Sequence, residues 1–144
     1  MKSTIDNSLE QVKYITNGVK HMAILSLKTL NGAEINFRLY TAEAPVTCEA
    51  FSKILPLEIT LLHAKTSGEE LWTPEGPELD IALENASVHI ECGEIGIAPI
   101  HPRNKISKCF VLAYGQAKLF DCANIFGKVL AEDESKLKEL GNKI

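Results

Sequence analysis

Hydrophobic and polar positions alternate most regularly between Met22 and Tyr40. Met22, Ile24 and Ser26 alternate with Ala23, Leu25 and Leu27 in a largely apolar run. Asn31-Gly32 follows, and both positions tolerate the positive φ that a tight hairpin turn requires. From Glu34 to Tyr40 the alternation is strict: Ile35, Phe37 and Leu39 point one way, and Glu34, Asn36, Arg38 and Tyr40 point the other. The pattern predicts an antiparallel hairpin over residues 22–30 and 33–40 with one wet face.

Ala44-Pro45 ends this alternation. Beyond it the spacing predicts a helix over 47–55, capped by Thr47, with Glu43 and Glu49 near its positive end. Ala50, Phe51, Ile54 and Leu55 would face the core, and Pro56 stops the helix. Residues 58–64 read as a strand. Residues 65–80 carry Gly68, Pro74, Gly76 and Pro77 and read as loop, apart from an extended piece over 70–72. Further strands are expected at 86–90, 95–97, 108–114 and 126–130, the third being the most β-rich and central. Pro99, His101, Pro102 and Arg103 mark an irregular loop. Residues 132–140 carry a helix signal, with Asp133-Glu134 first and Lys136 and Lys138 later, as the helix dipole favours. Short strands with turn signals about every ten residues predict a mainly β fold, a closed antiparallel barrel with one early and one C-terminal helix.

Composition narrows the function classes. The chain has 144 residues, 45% hydrophobic and 24% charged, which suits one globular domain with a sizeable core. The net charge is −4, and no long basic run offers a footprint for nucleic acid. No apolar stretch reaches the roughly 18 residues of a membrane span. The N-terminus lacks the apolar centre of a signal peptide, so a cytoplasmic location is expected. Residues 1–21 read as an N-terminal extension, with the domain over 22–144 and the first ten or so residues outside the core. His21-Met22 reads equally as a vector-derived junction or as native sequence. Cys48, Cys92, Cys109 and Cys122 form no C-x-x-C pair and match no zinc spacing, so reduced thiols are expected.

Several blocks resemble the cyclophilins. Gly32–Tyr40, then Ala44-Pro45-Val46-Thr47 and Phe51, is similar to the family's opening strand and A-P-x-T-x-x-x-F helix. Ile95-Gly96-Ile97-Ala98, Ser107–Val111 and Ile125–Val129 resemble later strands in the right order. Small prokaryotic cyclophilin-like proteins of uncharacterised function resemble the chain more closely. The blocks there are Ser67–Trp72, Glu84-Asn85, Gly93–Gly96, Pro99 with Pro102, and Ala113-Tyr114-Gly115. The resemblance implies a cyclophilin-like β-barrel with a ligand cleft.

It also marks what is missing. A cyclophilin polarises an X-Pro amide with the arginine of an F-H-R block. Here the stretch reads Leu62-His63-Ala64-Lys65, so Ala64 stands at that position unless the register slips to Lys65. Lysine lacks the planar fork, so even that replacement is not conservative. The M-x-Q-G-G block has no counterpart, and Lys108 stands for the glutamine of S-Q-F-F-I. Against a barrier of about 18–20 kcal/mol, losing several transition-state donors removes most of an isomerase's advantage.

The candidate ligand-binding residues are His63, Glu69, Trp72, Glu84, His101, Arg103, Phe110 and Tyr114. His63 is a proton carrier at the rim or a histidine bonded to backbone. Glu69 and Glu70 lie beside Trp72, where an apolar ring raises a carboxyl pKa, or they are solvated loop charges. Trp72 lines a cleft or plugs the barrel end. His101 and Arg103 bind a carboxylate or stay exposed. Glu84-Asn85 is a site or a turn cap, Phe110 is the aromatic retained from S-Q-F-F-I, and Tyr114 is rim packing or a site group. No catalytic residue, metal or cofactor is assigned. The expected partner is a small polar or carboxylate-bearing molecule or a peptide, held between residues 69–72 and 99–103. A prolyl isomerase and a protein-interaction module are the alternatives.

Overall fold

A computed structural model describes residues 12–17, 23–64 and 66–144. The expected extension over residues 1–21 falls outside them except for 12–17. In chain order the elements are β1 (Val12–Asn17), β2 (Ile24–Thr29), β3 (Glu34–Leu39), α1 (Pro45–Lys53), β4 (Leu62–His63), β5 (Gly68–Thr73), β6 (Ala86–Ile90), β7 (Glu94–Ile97), β8 (Phe110–Val129) and α2 (Glu134–Lys143). A short 3-10 turn, Ala131–Asp133, leads into α2.

The β2–β3 hairpin forms as its alternation dictates. Ile35 and Phe37 are fully buried and Leu39 nearly so, while Glu34 and Arg38 face solvent. Leu25 pairs with Phe37 and Leu27 with Ile35. Gly32 takes φ +94° at the turn, where a side chain would be strained. β1 extends this hairpin, with Ile15 opposite Leu27 and fully buried.

All the strands belong to one antiparallel sheet with the order β1-β2-β3-β8-β5-β4, and β6 and β7 also pair with β8. The path is open: β1 and β4 are its end strands, and the sheet is not closed into a barrel. An isolated bridge, Ile15 to Leu57, joins β1 to the segment between α1 and β4. Strand formation over 58–64 is confined to Leu62–His63. Conversely, the stretch expected as loop holds the six-residue β5.

β8 departs furthest from expectation. The segments expected as two strands, 108–114 and 126–130, are one strand of 20 residues. It folds around β7, so Gly96 pairs with both Val111 and Ile125. Against β6, Lys118 pairs with His89 and Ala123 with Ser87, so residues 119–122 bulge from the ladder.

Two apolar clusters lie on opposite faces of this sheet. The larger joins β2, β3 and the Phe110, Leu112 and Tyr114 side of β8 to both helices. Phe51 of α1 packs on Phe126 with ring centroids 4.9 Å apart and on Phe110 at 5.7 Å. Leu137 and Leu140 anchor α2. The helix α1 starts at Pro45 rather than Thr47 and ends at Lys53, which leaves Ile54 37% exposed instead of facing the core. The smaller cluster gathers Val111, Ala113 and Ile125 with Ile106, Cys109 and Leu119 on the other face.

Candidate functional site

The smaller cluster is incomplete on one side, and there the surface opens into a pocket of about 300 Å3. Strand alternation builds its floor. Trp72 lies opposite Val111 and Glu70 opposite Ala113, so all four share the face turned away from the main core. Ile106 and Cys109 close one end, while Leu119 and Phe120 come from the bulge in β8. Phe120 is 63% exposed at the rim. The hairpin between β4 and β5 supplies His63, Ala64, Thr66 and Ser67.

The bulge is held in place by polar contacts. Asp121 accepts from the Lys105 amide at 3.2 Å and the Cys122 amide at 2.9 Å, which holds its carboxyl below the usual range. Asn104 donates to the Cys122 carbonyl at 3.0 Å. These contacts tie the loop carrying Ile106 to the segment carrying Leu119 and Phe120.

The polar groups in the pocket are few. Glu70 is only 4% exposed, and Ser67 Oγ donates to its carboxylate. Burial raises the Glu70 pKa, while the Ser67 hydrogen bond pulls it down. Cys109 sits on the same wall; burial and the neighbouring Glu70 charge push its thiol up to about 11. It is therefore a protonated thiol at neutral pH.

His63 reaches the pocket's edge, but its ring is engaged behind it. Nε2 lies 2.5 Å from the Tyr114 hydroxyl, and the rings meet edge-on. Burial, then the Glu69 charge, raises the Tyr114 pKa, so the phenol keeps its proton. Which of the two groups donates in this contact depends on the imidazole tautomer. Nδ1 is buried and lacks a hydrogen-bond partner among the described residues.

Of the eight residues expected from sequence, the pocket brings together His63 and Trp72, with Tyr114 behind His63. The others lie elsewhere. Glu69 points to the opposite side from Glu70, where it accepts from the Gln116 amide at 3.0 Å. Phe110 is fully buried among Phe51 and Phe126. His101 and Arg103 are exposed, and their loop does not line the pocket.

Glu84 caps α1, 37 residues away in sequence, accepting from the Val46 and Thr47 amides and the Thr47 hydroxyl. It performs the capping role expected of Thr47, because no side chain at the N-cap residue Ala44 does so. Asn85 donates to the Ile125 carbonyl at 2.8 Å. Sequence reasoning missed the walls formed by Ile106, Cys109, Val111, Leu119 and Phe120 and chose Glu69 over Glu70. The signal for the latter was present in the alternation of Glu70 with Trp72 across Leu71.

Among the described residues no group of three or more His, Cys, Asp or Glu side chains is placed to hold a metal ion, and no helix is long and apolar enough to cross a membrane.

Solved structures share this fold. McbB in complex with tryptophan superposes with a TM-score of 0.57 at 17% sequence identity, covering 92% of this chain and 38% of the McbB chain. The chain thus spans well under half of McbB, and the likeness is one of fold. No curated protein matches the sequence. The sequence profile of DUF3830, a family of proteins of unknown function, matches residues 25–143, and the chain belongs to that family.

Proposed function

We propose that this domain binds a small molecule with an apolar, ring-sized body in the pocket between β5 and the β8 bulge. The supporting observation is the pocket itself: about 300 Å3, walled by Trp72, Val111, Ile106 and Leu119, with a few polar groups at fixed positions. Small-molecule sites are commonly concavities of about 300–1,000 Å3 with this balance of apolar wall and sparse polar groups. The tryptophan bound to McbB is a molecule of this kind, carried by a protein of similar fold.

The reading keeps the place of a cyclophilin-type cleft without its chemistry. Ala64, which stands where the resemblance expects arginine, lines the pocket and offers no guanidinium. We therefore read the domain as a cytoplasmic binder, its sheet including β1 as well as residues 22–144, and not as an ordinary prolyl isomerase. The ligand position moves from the 99–103 loop, as expected from sequence, to the 106–109 and 119–120 segments.

Chemical-shift mapping against a library of aromatic metabolites tests the proposal. Perturbations are expected to cluster on residues 63–72, 106–111 and 119–120. Perturbations that never cluster there would sink it.

A further inference from the structure

Glu70 is a costly residue where it stands. It is 4% exposed on a wall otherwise built from Trp72, Val111 and Cys109. A carboxylate offers about four acceptor positions. Among the described residues Glu70 takes one hydrogen bond, from Ser67 Oγ, and makes no ion pair. Even that donor is contested, because the Ala64 carbonyl lies 3.2 Å from the same hydroxyl. Burying a carboxylate with so little compensation disfavours the folded state. A glutamine or methionine would fill the same space without that cost, so packing alone does not account for the carboxylate.

We propose that Glu70 is the polar anchor of the pocket and that its ligand is an aromatic or aliphatic amine, the ammonium group meeting the carboxylate. The inference rests on the small-molecule reading above. An ammonium brings the donors that Glu70 lacks and forms a charge-assisted pair out of bulk water. Trp72, two residues along on the same face, adds an aromatic wall of the kind that attracts cations. Val111, Ile106, Leu119 and Phe120 provide the apolar seat for the ligand's body. A ligand bearing only a carboxylate meets a like charge in the same cavity, which departs from the carboxylate ligand expected from sequence.

The test compares three probes of one shape: phenethylamine, phenethyl alcohol and hydrocinnamate. Trp72 is the only tryptophan, so selectively excited fluorescence reads the pocket wall directly. At neutral pH the amine is expected to bind about tenfold or more tighter than hydrocinnamate, the scale of one charge-assisted hydrogen bond. In Glu70→Gln that preference is expected to vanish while phenethyl alcohol still binds. The ranking of probes on the unmodified protein stands as a test by itself should the variant fail to fold. Equal binding of amine and carboxylate to the unmodified protein, or an amine preference that survives in Glu70→Gln, overturns the anchor assignment and leaves the pocket reading standing. If none of the probes perturbs Trp72 or the pocket resonances, the pocket reading fails and the assignment falls with it.

Discussion

Thr47 and Glu84 meet through two hydrogen bonds on one carboxylate oxygen, from the Thr47 amide at 2.8 Å and its hydroxyl at 2.7 Å. The Asn124 amide group, at 3.1 Å, donates in turn to the Thr47 hydroxyl, so β8, α1 and the 82–85 segment share one buried polar knot. Removing the carboxylate in Glu84→Ala is expected to cost about 1–2 kcal/mol, the range for a lost helix cap. Denaturant midpoints measure it.

The same knot has a pH signature. Burial pushes the Glu84 carboxyl up, but the Thr47 hydroxyl and the Thr47 and Val46 amides pull it down by more, and its pKa lies below the ordinary value. A lowered carboxyl pKa stabilises the fold above the ordinary carboxylate range, and that contribution is lost as pH falls through the folded value. The protein should therefore lose stability on acidification relative to Glu84→Gln, and thermal melts of both across the acidic range check this.

Glu70 behaves in the opposite sense. Its pKa is raised by burial, so its ionisation weighs against the fold above the ordinary carboxylate value. Glu70→Gln is expected to be more stable than the unmodified protein at neutral pH. The gap should close as acid protonates the carboxyl. Cys109 and His63 line the same pocket in both proteins, so the difference between their melts isolates Glu70. An unmodified protein that is the more stable at neutral pH would contradict the uncompensated burial described above.

Phe51 and Phe120 should separate folding from binding. Phe51 is buried between Phe110 and Phe126, and Phe51→Ala is expected to cost about 3–5 kcal/mol. Phe120 is exposed at the rim, and Phe120→Ala should move stability by no more than about 0.5 kcal/mol. The second variant should weaken aromatic probes in the Trp72 titration at unchanged denaturant midpoint.

Gly68 is a backbone position that no other residue fills easily. Its φ is +116°, and a Cβ there would sit 2.5 Å from the Gln116 carbonyl oxygen. Gly68→Ala is expected to cost about 1–3 kcal/mol through strain and displacement of the adjoining strand. Because Ser67 precedes it and Glu70 follows, the Trp72 emission maximum should shift as well.

Much of this fold is legible in the chain. The alternation from Glu34 to Leu39 names its buried face because one side of β3 packs against the helices and the other meets water. The end of β8 and the helix after it are equally plain. The middle of β8 is not, since the alternation kept by Gln116 and Lys118 is lost at Phe120-Asp121, where the bulge at 119–122 breaks the count. Glu69 and Glu70 are neighbours in sequence, and only the phase of Glu70 with Trp72 tells them apart there. Pairing with Ala113 separates them, because one step along a strand sends a side chain to the other face. Glu84 was visible as a possible turn cap, but its true partner lies on a helix 37 residues earlier.

The bulge in β8 re-enters its ladder at Ala123 opposite Ser87, having left it after Lys118 opposite His89. Within the bulge Leu119 is buried and Asp121 and Cys122 are tied to the 104–105 loop, so Phe120 is the position most open to change without moving the pairing on either side. A change of side chain at Phe120 would reshape the rim of the cavity while leaving the ties to the 104–106 loop in place. That single exposed ring is a natural place to retune ligand choice, with the three-phenylalanine core left undisturbed.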